Sequence, residues 1–543
     1  MEVCMRFAPI FSFLFLIVLV GCQPDDVQQA MREVSTDRLM SHIAVLADDS
    51  LEGRRPASRG EARTINYLVD QYKAIGLEPA GENGTYLQKV PTVGTQIDQK
   101  TVFEFKKGGK SLSLKFFDDF IALSGYHEPL VPIKDVELVF VGYGIVAPEQ
   151  GWDDYKDVDV KGKVLLMLNN DPATDDPNFF AGRGRTYYGR WTYKYEIAAQ
   201  KGAVGAIILH TTESAGYPFS VVQSTWSAER YDLAADNGAP KLKLKSWTTE
   251  DATRKYVSLA GFDLDKLVQQ AQEKGFRPVP LGVKISTTLK FRIRHLETQN
   301  VIGVLRGSDP ALNQEHIVFT SHWDHFGIGK PVNGDSIYNG ALDNASGMSL
   351  MLTMAKAFST MNLKRSLMFA AVTAEEFGLL GSQYLAENPP IPIKHVVANI
   401  NTDGMNIWGT TTDITFLGQE RSTLGADIEE VAKIMKMEIK PDPQPEQGSF
   451  YRSDHFNFAK VGVPCLSMRT GTAFVGKPET FAKEIMEQYI ALHYHKPSDQ
   501  IAADWNLEGG VQQAEFIIRL TQRIANSASA PQWNAGDEFA KFR

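Results

Sequence analysis

In the second half of the chain, histidine, aspartate and glutamate recur where predicted strands end. The strand predicted over 317–320 runs into Ser321-His322-Trp323-Asp324-His325. A loop from Tyr338 to Asn344 carries Asp343 into a helix. The strand predicted over 366–372 runs into Thr373-Ala374-Glu375-Glu376, and the one over 396–400 runs into Asn401-Thr402-Asp403. A later histidine, His495, lies in Tyr494-His495-Lys496-Pro497-Ser498-Asp499. Ligands and catalytic groups in open α/β sheets gather at the carboxyl ends of strands, so these loops converge on one crevice. Imidazole and carboxylate together suit zinc. Two metals need more ligands than one, a carboxylate can bridge them, and one glutamate must stay uncoordinated to act as a base. The neighbours Glu375 and Glu376 can divide that labour. A His-x-Asp or a glutamate pair alone is common, and a glutamate pair on a helix is usually a solvated face. The ordered set, each member at a strand end, carries the reading.

The elements that must position this set follow from periodicity. Ala62, Ile65, Leu68, Val69, Tyr72 and Ile75 recur at helical spacing, which predicts a helix from Arg59 to Ile75 with Gly76 as its stop. The pattern turns β-rich from Val136, with strands around 136–141, 164–168 and 204–209, and this middle block ends near Leu289. After residue 300, strands at 301–305, 317–320, 366–372 and 396–400 alternate with helices over about 346–358, after Glu376, and over about 510–524. Alternating strands and helices predict an α/β fold, a mostly parallel, doubly wound sheet flanked by helices. No internal repeat is visible.

At this point the chain resembles metallopeptidase family 28, the dizinc aminopeptidases. The matching motifs are His322-Trp323-Asp324, Gly340-Ala341-Leu342-Asp343-Asn344, Ala374-Glu375-Glu376-Phe377-Gly378, Asn401-Thr402-Asp403, Ser453-Asp454-His455 and His495-Lys496-Pro497-Ser498-Asp499, with Leu51-Glu52-Gly53-Arg54 near the amino terminus. The middle block, with Phe140-Val141-Gly142-Tyr143-Gly144, looks like an inserted protease-associated domain. The resemblance implies a phosphorylase/hydrolase-like zinc peptidase fold divided into a signal peptide (1–21), the first part of the catalytic domain (22–125), a β-rich insert (126–290) and the main catalytic part (291–543).

It also implies roles. His322 and Asp403 hold one zinc, Glu376 and His495 the other, and Asp343 bridges them ahead of a cis bond to Asn344. Glu375 is the general base, and Asp324 fixes the ring of His322. The implied activity is removal of amino-terminal residues from peptides with a free amino terminus, by a water activated between two zinc ions per chain. A single-zinc glutaminyl cyclase and a non-catalytic binding protein on the same scaffold are the alternatives; both need fewer ligands than are present. Many relatives carry a tyrosine before the final histidine, and the matching position reads as Phe474, which leaves zinc itself and the imidazole of His455 to stabilise the oxyanion together. His325 and His493 read as wall residues, and Asp454 as a structural hydrogen-bonding group.

Of the 543 residues, 43% are hydrophobic and 22% charged, which excludes a mainly disordered or fibrous chain. A net charge of -9 argues against a nucleic-acid-binding surface. Arg6 precedes the uncharged apolar run Phe7 to Val20, which reads as a secretion signal. Leu19-Val20-Gly21-Cys22 resembles a lipoprotein cleavage motif, so Cys22 is expected to carry the acyl chains that hold the protein on a membrane of the bacterial cell envelope. Gln23 favours the outer membrane, facing the periplasm. Residues Cys22 to about Gln28 read as a tether, and Cys465, in an apolar stretch, as a buried core residue.

Overall fold

The computed structural model describes residues 26–234 and 238–543, without the side chain of Ser224. The signal segment and Cys22 lie outside the described residues. The expected tether is shorter than the sequence suggested: a helix already runs over Asp26–Met31 and buries Val27 and Ala30. The helix Arg59–Ile75 has the predicted bounds. The Ser58 hydroxyl accepts the N–H of Gly60 at 3.1 Å, which caps its start, and Gly76 ends it at φ 90°, a left-handed conformation that favours glycine.

The sheet that carries the motifs includes seven main strands: β1 (Leu87–Ile97), β2 (Val279–Leu305), β3 (His316–His322), β4 (Ser366–Val372), β5 (Val396–Asn401), β6 (Asp413–Leu417) and β7 (Cys465–Arg469), with the short strands Glu78–Pro79 and Arg230–Leu233 paired to β2 and β1 respectively. Their spatial order is β1-β2-β4-β3-β5-β7-β6. The central four, β4, β3, β5 and β7, are parallel, and antiparallel strands flank them on both sides. Alternate residues serve two cores. Ile317, Phe319, Leu367 and Phe369 face the cluster that includes the helices Gly347–Phe358 and Glu508–Asn526, whereas Val318, Met368 and Ala370 face the cluster that includes Leu385 and Phe458. Both faces are therefore covered, as a doubly wound sheet requires, and each fully buried large side chain contributes about 1.5–3 kcal/mol to holding the strands in place.

The strand β2 is 27 residues long and serves two sheets. Its second half pairs with β1 and β4, and its first half with strands Val102–Lys107 and Leu130–Phe140 of the middle block. The middle block has its own apolar core, which runs from Ile97 to Phe291. The expected division at 125/126 falls inside that core, because Phe120–Leu123 pairs with Leu244–Thr249. The block also holds more helix than a β-rich reading suggests. Its parallel strands Val164–Leu168, Gly205–His210 and Leu244–Thr249 are accompanied by helices Trp191–Gln200 and Glu250–Leu259. Cys465 is fully buried in β7 with a free thiol, as a core residue. Among the described residues, no helix is long and apolar enough to cross a membrane.

Candidate metal centre

Strand register sets the heights of the site residues. Thr320 of β3 lies opposite Asn401 of β5, so His322 and Asp403, each two residues further on, emerge level with one another. His322 is itself opposite Val372 of β4, and Glu375 and Glu376 follow just beyond. Ala374 and His495 take positive φ values of 53° and 57°. That is unfavourable for residues with a Cβ, and such strain gathers at sites whose surroundings fix it.

Buried polar groups then lock the loops. Asn344 donates to Ser321 Oγ, the His322 carbonyl and the Thr402 carbonyl at 3.1–3.3 Å and accepts the N–H groups of Gly347 (3.1 Å) and Gly404 (2.7 Å), so one amide ties three loops. The peptide bond between Asp343 and Asn344 is cis, as the family resemblance implied. Arg54, 1% exposed, donates to the carbonyls of Trp323 (2.8 Å), Asn339 (2.5 Å) and Gly340 (3.0 Å), and also to Leu46. Sequence reasoning quoted Arg54 within a motif and gave it no role. Three of its partners are backbone groups 269 to 286 residues away, which no local pattern announces.

The proposed ligands form two sets that share Asp343. His322 Nε2 lies 3.3 Å from Asp343 Oδ1 and 3.4 Å from Asp403 Oδ1. His495 Nε2 lies 3.3 Å from Asp343 Oδ2 and 3.3 Å from Glu376 Oε2. Donor atoms held tetrahedrally at about 2.0–2.1 Å from an ion are separated by about 3.3–3.4 Å, which the distances from each imidazole match; in the first set the three donor atoms all lie within 4.8 Å of one another. Electrostatics agrees. Burial alone would lower the pKa of His322, but Glu375, Asp343 and Asp403 outweigh it and raise it well above 6.5. Burial likewise opposes the upward shift of His495, which Glu376 and Asp343 impose. Glu375 and Glu376 are pushed well above the usual carboxylate range, mainly by burial and partly by neighbouring carboxylates. Crowded acids that draw protons onto neighbouring imidazoles form a cavity suited to cations.

Glu375 stands beside the shared cluster within reach of His322, and its own N–H donates to Asp324 Oδ1 at 3.1 Å. Asp324 Oδ1 is 3.8 Å from His322 Nδ1, and the Asp324 carbonyl is nearer, at 3.2 Å. His325 differs from its expected role as a wall residue. It is fully buried, held neutral with a pKa near 3 by burial, and its Nδ1 lies 2.6 Å from Glu376 Oε1, so it orients the Glu376 carboxylate. His493 accords with the bland reading, with Nδ1 donating to the Ser498 carbonyl at 2.8 Å. Asp454 is fully buried outside both sets and pushed up to about 7, chiefly by burial.

The oxyanion reading changes most. Phe474 packs edge-on against Phe481, and His455 is fully buried against Phe450, so neither ring is open to a substrate. The hydroxyl at the site belongs to Tyr494. Its ring stacks on His495 with centroids 3.7 Å apart and is 43% exposed. Although much of the residue is open to solvent, partial desolvation and the carboxylates of Asp343, Glu376, Glu375 and Asp403 push its pKa up, which keeps it a donor. Its position in the sequence, immediately before His495, is the signal that points to it.

Comparison with known proteins shows what the fold and the motif-bearing segment resemble. An aminopeptidase from Aneurinibacillus sp. strain AM-1 shares the fold, with a TM-score of 0.50 at 18% identity, covering 93% of this chain and 97% of that one. Residues 300–516 match Peptidase family M28. Leucine aminopeptidase 2 of Trichophyton rubrum is 29% identical over 258 residues, 46% of this chain and 48% of that protein. A probable zinc metalloprotease of Pyrenophora tritici-repentis is 30% identical over 279 residues, 45% of this chain and 62% of that protein. The chain spans about half the length of the leucine aminopeptidases it matches.

Proposed function

We propose that this protein is a zinc-dependent aminopeptidase that binds two zinc ions and removes residues from the free amino terminus of peptides. The observation that carries the reading is the division of Asp343, one oxygen toward His322 and Asp403, the other toward His495 and Glu376. Two complete sets favour this reading over a single-zinc cyclase or a binding protein on the same scaffold. The names of the similar proteins, leucine aminopeptidase and probable zinc metalloprotease, support the metal and the reaction class.

When bound, two zinc ions would polarise the scissile carbonyl and lower the pKa of the attacking water. The chain's own residues do the rest. Glu375, next to the ligand Glu376 but outside the two sets, takes the proton from the water and passes it to the leaving amine. The Tyr494 hydroxyl donates to the oxygen on which charge develops. His325, Asp324, Asn344 and Asp499 hold the first ring of residues in register. The middle block, read as an insert over 126–290, restricts peptide access, and acylation of Cys22 tethers the protein to the cell envelope. Deleting the block should broaden the range of peptide lengths accepted, and Cys22→Ala should abolish fractionation with membranes.

The test is hydrolysis of aminoacyl amides and dipeptides by the purified chain. Chelation should abolish cleavage and added zinc restore it. Cleavage that survives full metal removal would contradict the proposal.

A further inference from the structure

Four arginines collect where the middle block meets the metal-binding sheet. Arg185 and Arg190 belong to a middle-block segment seated on the other core. The Arg185 N–H donates to the Pro445 carbonyl at 3.1 Å, and the Tyr187 ring packs on Tyr451 and Phe456 with centroids 6.4 and 5.5 Å away. Arg452 follows Tyr451 and precedes Ser453, whose hydroxyl donates to Asp403 Oδ2 at 2.6 Å. Arg469 ends β7. Ser467 of β7 lies opposite Asn401 of β5, so Arg469 stands level with Asp403, each two residues further on.

Arg185 is accounted for, since it donates to the Ser214 carbonyl at 3.0 Å and feels the charge of Asp171. Arg190, Arg452 and Arg469 make no ion pair among the described residues. Arg190 is 8% exposed, and its Nε, like that of Arg452, is buried without a hydrogen-bond partner. Burial lowers the pKa of Arg190 to about 9, and the neighbouring cations Arg452 and Arg185 add to the effect. Arg452 is lowered too, by burial and then by Arg469, with only the phenols of Tyr217 and Tyr494 opposing. A buried guanidinium without a partner is costly, and like charges beside it raise that cost. Of the three, Arg469 is partly offset by Asp403, whose pKa its charge helps to lower, whereas nothing comparable among the described residues faces Arg190 and Arg452; Asp403 is otherwise engaged by His322 and Ser453, and Glu376 by His325 and His495.

We propose that Arg190, Arg452 and Arg469 form a carboxylate-recognition subsite beside the metal centre. The preferred substrates are then peptides that carry a carboxylate close to the scissile bond. That group is either the terminal carboxylate of a very short peptide or an acidic side chain. The inference rests on the aminopeptidase reading and narrows its substrate class. The guanidinium fork matches a carboxylate in a bidentate manner, and a site built around such a pair rejects the neutral analogue.

The experiment compares kcat/KM of the zinc-loaded full chain on Ala-Ala against its carboxyl-terminal amide, and on Ala-Glu amide against Ala-Gln amide. Calorimetry with the N-acetylated forms of the same four peptides gives a readout that needs no turnover. At least one pair should differ by about tenfold or more, and Arg452→Gln should bring that ratio towards one. A preference in the first pair assigns the terminal carboxylate, and one in the second the acidic side chain. Arg190→Met should act likewise; should it fail to fold, Arg452→Gln and Arg469→Gln still decide. Ratios within about twofold in both pairs, or a preference that survives Arg452→Gln and Arg469→Gln, would overturn the subsite. Binding that prefers the carboxylate without any cleavage would uphold the subsite and sink the aminopeptidase reading.

Discussion

The carboxylate of Asp499 grips Asp343 by its backbone: one oxygen accepts the N–H of Leu342 and the other the N–H of Asp343, both at 3.1 Å. Asp499 lies four residues after His495, so a single turn of chain both presents His495 and fixes Asp343, the residue shared by the two sets. The Asp499 carboxylate also accepts the Tyr489 hydroxyl at 3.3 Å. The position of Asp343 is thus enforced from behind by the protein itself. Asp499→Asn keeps only one acceptor oxygen for two N–H groups, so it should weaken zinc binding by about 10–100-fold. A competition titration against a chelator measures this.

The two neighbouring glutamates should separate cleanly. Glu375→Gln should retain zinc while kcat falls by about 10²–10⁴-fold, the usual contribution of a positioned base. Glu376→Gln should lose zinc as well, because Glu376 Oε2 belongs to the His495 set. Zinc analysis alongside kinetics of both variants checks the assignment; equal zinc retention in the two would contradict it.

Tyr494→Phe should lower kcat by about 10²–10³-fold with zinc content unchanged, as expected for loss of one oxyanion donor. Phe474→Tyr should leave kcat unaltered, since that ring packs against Phe481. Steady-state kinetics of the two variants decide between the positions.

A pH dependence of stability arises away from the site. His316 is 2% exposed, and burial lowers its pKa to about 4 from 6.5. Between these values the unfolded chain binds a proton that the folded chain does not, so stability is lost as pH falls from about 6.5 towards 4. The shift corresponds to about 3 kcal/mol at most. Denaturant titrations at pH 7 and pH 4.5 should show a smaller loss for His316→Gln than for the unaltered chain.

Much of the sheet and of the ligand set is legible in the sequence, because both depend on local pattern. Runs such as 366–372 are apolar on both faces and end abruptly in Glu375 and Glu376, which marks a buried strand and its carboxyl end. What the sequence hides depends on distant partners. Arg54 reads as an ordinary charged residue until the carbonyls of Trp323, Asn339 and Gly340 surround it. His325 is separated from Glu376 by fifty-one positions, and only the pairing of β3 with β4 brings them together. The length of β2 is concealed because its exposed and buried residues alternate over 279–290 and then give way to the continuous buried run 300–304, which reads as a separate strand.

The most direct test of the two-metal centre is the zinc content of the purified chain after saturation with zinc and exhaustive dialysis. The geometry predicts two zinc ions per chain, one for each set that Asp343 joins, with Asp343→Ala losing both. One zinc ion per chain, or none, would contradict it.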